Sequence, residues 1–420
     1  MDRSRRRRER EHEREITREG ETARVPDDGP PLFNRTATVA ACVGFVLLGA
    51  LQAYYGPAIP ALRARFGLAP SGAGLALSML LGGAAAGVLV GGTLHRHVRS
   101  SRLLITSFLV MAGGALGFAL SPNWFCALAA SLISGLGAGG MDYGLNQLFA
   151  TGFGRRSPAM LGILNAFFGV GAVAGPITIN LLGAHNYRYA FAATAVLLVI
   201  ACAFFRSVRD AEPKRAAEAA ETAPAVETST ATPSAPIRSV IPIVVAFLAL
   251  YALQVTIETG VGAWEPTYLQ LLGHSASFAA NATSAFWLGL TVGRFLLAPL
   301  TLRWSEPVIV CASCLGTTIC LAFAVIPAFA PYALAGAGLF NAPVFPAALP
   351  WLHRSAPNVR WAGTGAILTA NLGGMAAGPL LGLAIEVFGS GSMPWALTIT
   401  SIVCVALAVR LKTTTHRING

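Results

Sequence analysis

The chain has 420 residues, of which 54% are hydrophobic and 12% charged, and its mean hydropathy is +0.61. Soluble domains carry about a quarter charged residues, so this composition excludes an ordinary water-soluble fold. The formal charge of +11 does not point to nucleic acid, because the basic residues fall in short loops between apolar stretches, as cytoplasmic loops of membrane proteins do.

The first 36 residues form a mixed Arg/Glu run expected to be a disordered, solvated tail. The alternative is contact between its Arg cluster and anionic lipid. No cleavable signal peptide is expected, since residues 1–35 are polar. Twelve apolar stretches follow, at about 37–61, 72–93, 103–121, 124–150, 159–183, 189–206, 239–262, 276–300, 306–328, 331–352, 362–387 and 393–411, each long enough to cross a bilayer core. The expected fold is therefore an all-α membrane protein with twelve transmembrane helices. An even number of crossings puts both termini on one side. Loops on that side hold Arg96, Arg99, Arg102, Arg155, Arg156, Arg303, Arg354 and Arg360, whereas the other side holds Arg63, Arg65 and Arg188. The positive-inside rule places both termini in the cytoplasm. Residues 207–238, rich in Ala, Glu, Thr and Pro, read as a cytoplasmic linker, and 412–420 as a short tail. The organisation expected is a six-helix bundle over 37–206 and another over 239–411.

The two bundles repeat. Ala50-Leu51-Gln52 recurs as Ala252-Leu253-Gln254, Gly135-x-Gly137 as Gly336-x-Gly338, and Gly171-x-x-x-Gly175-Pro176 as Gly374-x-x-x-Gly378-Pro379. The three pairs share one order and nearly one offset across the central linker. Two parallel six-helix repeats are the organisation of the major facilitator transporters, with a substrate site near the midplane between the halves. The glycines either let helices pack closely or serve the rocking of the halves, and each Gly-Pro pair frees a backbone carbonyl and permits bending.

Nineteen residues are acidic, nine within 1–28 and five between Asp210 and Glu227. Only Asp142, Glu258, Glu265, Glu306 and Glu386 remain, with Glu265, Glu306 and Glu386 expected near helix ends. An acid within a span is costly and therefore a functional candidate. Asp142 shares a helical face with Asn146, and Glu258 shares one with Gln254. A carboxylate beside an amide can bind hydroxyls and exchange a proton, or can lock two helices together. Asp142 and Glu258 are the proton-coupling candidates. Asn146, Gln52, Gln254, Asn165, Asn341, Asn371, Trp264 and Trp287 are the substrate-binding candidates. The asparagines either line the cavity or bridge helices, and the tryptophans, with Phe286, either stack on a sugar face or anchor the interface. The gating candidates are Gly91, Arg96, Arg99, Gly175, Pro176, Arg294, Gly378 and Pro379. His95 and His97 are expected to be solvated loop residues. The seven cysteines read as small buried hydrophobes, and Cys311-x-x-Cys314 alone does not make a metal site. There is no phosphate-cradling Gly-x-x-x-x-Gly-Lys-Ser/Thr loop and no nucleophile–base pattern. No cofactor and no enzymatic activity are expected, so energy would come from a gradient.

The loop Gly91-Gly92-Thr93-Leu94-His95-Arg96-His97-Val98-Arg99 resembles the signature loop of the major facilitator superfamily, with His95 at the Asp position and Val98 at the second Gly position. Four further segments resemble the fucose–proton symporter-like branch. They are Gly135-Leu-Gly137-Ala-Gly139-Gly140-Met-Asp142-x-x-x-Asn146, Glu258-x-Gly260-x-Gly262-x-Trp264-x-Pro266-Thr267-Tyr268, Phe286-Trp287-Leu-Gly289-Leu-Thr-Val-Gly293-Arg294 and Gly338-Leu-Phe-Asn341-Ala-Pro343-x-Phe345-Pro346. The first span ends in Tyr54-Tyr55-Gly56-Pro57-Ala58-Ile59-Pro60 without the acid often found there in that branch. The resemblance implies proton-coupled movement of a sugar or similar polyol. The alternative is a proton antiporter exporting a drug or secondary metabolite. The expected partners are the lipid bilayer, protons and a small-molecule substrate, with no nucleic acid, and the chain is expected to work as a monomer. Abundant Arg, Ala and Gly with only two lysines suggest a bacterium with a GC-rich genome and hence a place in the bacterial cell membrane.

Overall fold

The computed structural model describes residues 35–95, 97–153, 156–208, 237–359, 361–389 and 391–419. The Arg/Glu tail, most of the linker, and Arg96, Arg155 and Arg360 lie outside the described residues. The structure is all helical: α1 Arg35–Phe66, α2 Pro70–Leu94, α3 Ser100–Leu120, α4 Trp124–Gly152, α5 Ser157–Leu182, α6 Tyr187–Cys202, α7 Ile237–Leu271, α8 Ala276–Thr301, α9 Glu306–Phe323, α10 Ala330–Asn341, α11 Val344–Ser355, α12 Ala362–Phe388 and α13 Ser392–Asn419. Short 3₁₀ turns at Ala184–Asn186 and Ala203–Ser207 complete the order. Among the described residues twelve segments are long and apolar enough to span a membrane. In a bilayer only helices or closed barrels satisfy every backbone group, and the described residues take the helical solution.

Two elements depart from the sequence expectation. The seventh span does not end near residue 262 but runs to Leu271, carrying Pro266 inside it. Membrane helices tolerate such prolines when neighbours re-satisfy the freed backbone groups. The tenth span is not continuous. It is interrupted between Asn341 and Val344, where Pro343 lacks the N–H that would continue the helical ladder, although Ala342 keeps helical dihedrals.

The repeat seen in the sequence is a packing repeat. In the first six helices α1 packs on α5, α2 on α4, and α3 on α4 and α6. In the last six, α7 packs on α12, α8 on α10, and α9 on α10 and α13. Small residues on the paired helices show why, although the clashing glycine of the second half is Gly373, the neighbour of the matched Gly374. A methyl at Gly171 would strike the Val46 carbonyl, and one at Gly373 would strike the Ala252 carbonyl, so each helix pair needs a small residue to bring the backbones together. The α2–α4 pair is the tightest glycine seam: Gly83, Gly87, Gly135 and Gly139 each lie against a carbonyl of the facing helix.

The halves meet along α2–α12, α5–α8 and α1–α7. Gly74 lies against Gly378, Gly382 against Pro70 and Ser71, and Gly56 against the Gly262 and Ala263 carbonyls. Ser71 Oγ donates to Glu386 Oε2 at 2.8 Å, and the Ser78 hydroxyl donates to the Met375 carbonyl. α2 begins and α12 ends on the side away from the chain termini, so these contacts close the array on that side.

Candidate functional site

Two polar clusters face each other across the halves. The first stands on α4 and α5. Asn146 Nδ2 donates to Asp142 Oδ1 at 2.8 Å and to the Asp142 carbonyl at 2.9 Å. The four-residue spacing that put both on one helical face also sets this bond. Asn165 of α5 donates to Asn146 Oδ1 at 3.3 Å and is itself exposed. The three residues form one hydrogen-bonded row from an exposed amide to a half-buried carboxylate.

The second cluster stands on α7 and α8. Arg294 lies 3.2 Å from Glu258 Oε1, with side chains 42% and 14% exposed respectively. Gln254 Nε2 donates to the other carboxylate oxygen at 3.2 Å, while Gln254 Oε1 makes no hydrogen bond to the protein. Arg294 was a gating candidate by sequence, but the fold makes it the counter-charge of Glu258. Pairing lowers the cost of holding either charge at membrane depth.

A single contact sets the level of both clusters. Gly169 of α5 lies against the Thr291 side chain of α8, close enough that a methyl there would collide with it. Asn165 is four residues from Gly169 and Arg294 three from Thr291, on antiparallel helices. Both therefore stand roughly 5 Å to the termini side of that contact at 1.5 Å rise per residue. Asn165 and Arg294, the exposed members of the two clusters, thus lie at one depth, with the glycine contacts between halves toward the far side. Beside them, α5 and α8 form an open apolar recess of about 300 Å³ lined by Ile163, Phe167, Val170 and Phe295 among others, most of these side chains being exposed.

The remaining candidates distribute as follows. Gln52 is half-buried on α1. Asn371 bonds its own helix at the Ile367 carbonyl. Asn341 is buried at the α10–α11 break with Nδ2 making no hydrogen bond to the protein. Trp264 is corrected: its ring is fully buried and Nε1 donates to the Gly378 carbonyl at 2.9 Å, so in this conformation it offers no face to a solute. Trp287 is likewise 4% exposed and lies against Gly262. Gly91 touches Tyr143. Arg99 is exposed just ahead of α3, and Arg96 is outside the described residues. His95 is corrected as well. It is half-buried, its ring 6.0 Å from Tyr143, and Nδ1 is shut from solvent. Gly175 packs inside its own bundle on Ala50 and Ala53, whereas its repeat partner Gly378 packs across the halves on Gly74. Pro176 and Pro379 each sit inside a continuous helix. Among the described residues no three His, Cys, Asp or Glu side chains gather as a metal site.

Sequence reasoning placed Glu265 near a helix end, but the structure buries it completely. The readable signal was the uncharged stretch Thr267 to Leu272 beyond Pro266, which extends the span past the acid.

Comparison with known proteins agrees with this architecture. The family model of the Major Facilitator Superfamily matches residues 41–367. The cyanate transport protein CynX of Escherichia coli (strain K12) is 32% identical over 127 residues, covering 29% of this chain and 32% of that protein. The uncharacterized MFS-type transporter YfkL of Bacillus subtilis (strain 168) is 24% identical over 232 residues, covering 53% and 55%. The chain thus spans about a third to about half the length of these curated relatives. The crystal structure of a D-xylose–proton symporter superposes with a TM-score of 0.72 at 15% identity, covering 90% of this chain and 96% of that one.

Proposed function

The chain belongs to the Major Facilitator Superfamily, and from that premise we propose that this multi-pass membrane transporter is proton-coupled and moves a small polar solute such as a sugar by alternating access. The observation that carries the reading is the row Asp142–Asn146–Asn165 facing, at one depth, the pair Glu258–Arg294. An ionisable group in a span marks a proton or solute path by its cost alone. Asp142 is joined to the exposed surface by amides that can hold hydroxyls, so one row can bind solute and hold a proton. Glu258 neutralises Arg294, which favours an uncharged polar solute over an anion between the rows. The motifs resembling the fucose–proton symporter-like branch support the same class, and the likeness to the xylose symporter supports the fold in which it would operate.

In this reading the halves 37–206 and 239–411 rock about the site, joined by the linker 207–238, and the chain works as a monomer in a bacterial cell membrane. The Arg-rich loops put both termini in the cytoplasm, so the conformation described faces inward. The apolar recess beside Arg294 favours a second reading, proton antiport exporting an amphiphilic drug or metabolite.

Proteoliposome uptake decides between them. Labelled neutral monosaccharides should accumulate when the trans-membrane pH gradient is imposed and not without it. Cyanate belongs in the panel because one relative carries its name. Accumulation of an amphiphile on reversing the gradient, with no sugar movement, favours the second reading.

A further inference from the structure

The buried acid Glu265 takes no part in either cluster. It lies seven residues beyond Glu258 on α7, about 10 Å further from the termini side along the same helical face. Its carboxyl is fully buried and neither oxygen makes a hydrogen bond to the protein. Its surroundings are polar but uncharged. Thr283 of α8 faces it, and Thr267, Ser284 and the Trp287 indole N–H nearby in sequence and on the facing helix are buried without protein partners. The Thr283 hydroxyl already donates to the Ala279 carbonyl at 3.1 Å.

The elements around it supply no counter-charge. On α7 itself Glu258 is taken by Arg294. α1 presents backbone at Gly56, with the Tyr54 and Tyr55 hydroxyls bonded to Thr194 and Ser131. α12 presents the Gly378 carbonyl, held by Trp264, and α13 presents Leu397 against Gly260. Tyr268 is turned to the Ala324 carbonyl. Among the described residues no charged side chain pairs with Glu265. Trp287, packed on Gly262, stands between it and the Glu258–Arg294 pair. The cover on the other side is the contact of α1 Gly56 with Gly262 and Ala263, one turn before the acid. That contact is one the halves must break to open on the far side.

We propose that Glu265, faced by Thr283, is a second proton-binding site, loaded from the side of the membrane opposite the termini and required for the halves to close there. When the halves part at Gly56, water reaches the carboxylate and a hydronium ion from that phase protonates it, forming the carboxyl O–H and leaving water. Closure then buries a neutral group, and reopening returns the proton to the same water phase. The inference rests on the reading of the chain as a transporter whose halves rock, but not on Asp142 or on the solute.

The test is a distance measurement without solute. Spin labels on His185→Cys and Ala276→Cys, in full-length protein lacking the seven native cysteines and held in lipid nanodiscs, report separation of the halves on the far side by electron–electron resonance. The short distance should dominate at low pH. Above the midpoint the ratio of closed to open should fall about tenfold per pH unit, as linkage to one proton requires. Glu265→Gln should stay closed at every pH. Infrared difference spectra should show a protonated carboxyl band in the closed wild type that Glu265→Gln lacks. A wild-type pH response that survives in Glu265→Gln, or a wild type with no response, overturns the proposal. If Glu265→Gln fails to assemble, Glu265→Asp must still respond with a moved midpoint, and an unmoved midpoint likewise overturns it. Failure of pH-driven uptake with this response intact would instead count against the proposed coupling at Asp142.

Discussion

Gly378 of α12 lies backbone to backbone against Gly74 of α2, and an added methyl on either would strike the other's main chain. The contact joins the two halves on the side away from the termini, beside Ser71–Glu386 and Ser78–Met375. It is a seam that can close only while both positions stay without side chains.

Gly74→Leu or Gly378→Leu should therefore hold the far side open. Overpacking a close contact costs about 1–3 kcal/mol, enough to shift a two-state population roughly tenfold or more. Membrane insertion should be normal, since the contact lies between bundles rather than within one. Labelling of a cysteine introduced at Ser71 should rise and solute accumulation should fall. Unchanged labelling with unchanged transport would show that the seam does not gate.

Asp142→Asn keeps size and hydrogen bonding to Asn146 but removes titration. Accumulation against a gradient should be lost, while solute exchange across the membrane without net proton movement should persist in part. Asn146→Ala, which breaks the row between Asp142 and Asn165, should chiefly raise the KM for uptake. Full gradient-driven accumulation by Asp142→Asn would make that acid structural and pass the coupling role to Glu258.

Arg294→Gln strands Glu258 without its counter-charge. Because Arg294 is 42% exposed, screening keeps the loss of stability small, on the order of 1 kcal/mol. The effect on transport should be larger than the effect on thermal stability. The double variant Glu258→Gln/Arg294→Gln should recover expression but not uptake. Equal uptake by the single variant and the wild type would remove the pair from the site.

Topology can be checked independently of transport. An alkaline phosphatase fused after residue 420 should be inactive in an expressing bacterium, and one inserted near His185 should be active, because basic residues concentrate in the loops on the termini side. High activity at the C-terminus would invert the orientation, and with it the inward-facing reading of this conformation.

Hydropathy alone gave twelve spans, because the bilayer imposes one length and one solution to backbone hydrogen bonding. The sequence also determined the repeat, since the same glycines must recur wherever the same helix pairs pack, and the Asp142–Asn146 and Gln254–Glu258 contacts, which follow from a four-residue spacing on one helix. What crosses between helices was not legible. Nothing in the spacing joins Arg294 to Glu258 or Asn165 to Asn146, and the repeat could not tell that Gly175 packs within its bundle while Gly378 packs across the halves. Glu265 is the sharpest case. A Trp-Glu-Pro sequence reads as the end of a span, and only the facing surfaces of α1 and α8 turn it into a fully buried acid. Burial is set by what neighbouring helices cover, and that is a property of the tertiary arrangement rather than of any local run of residues.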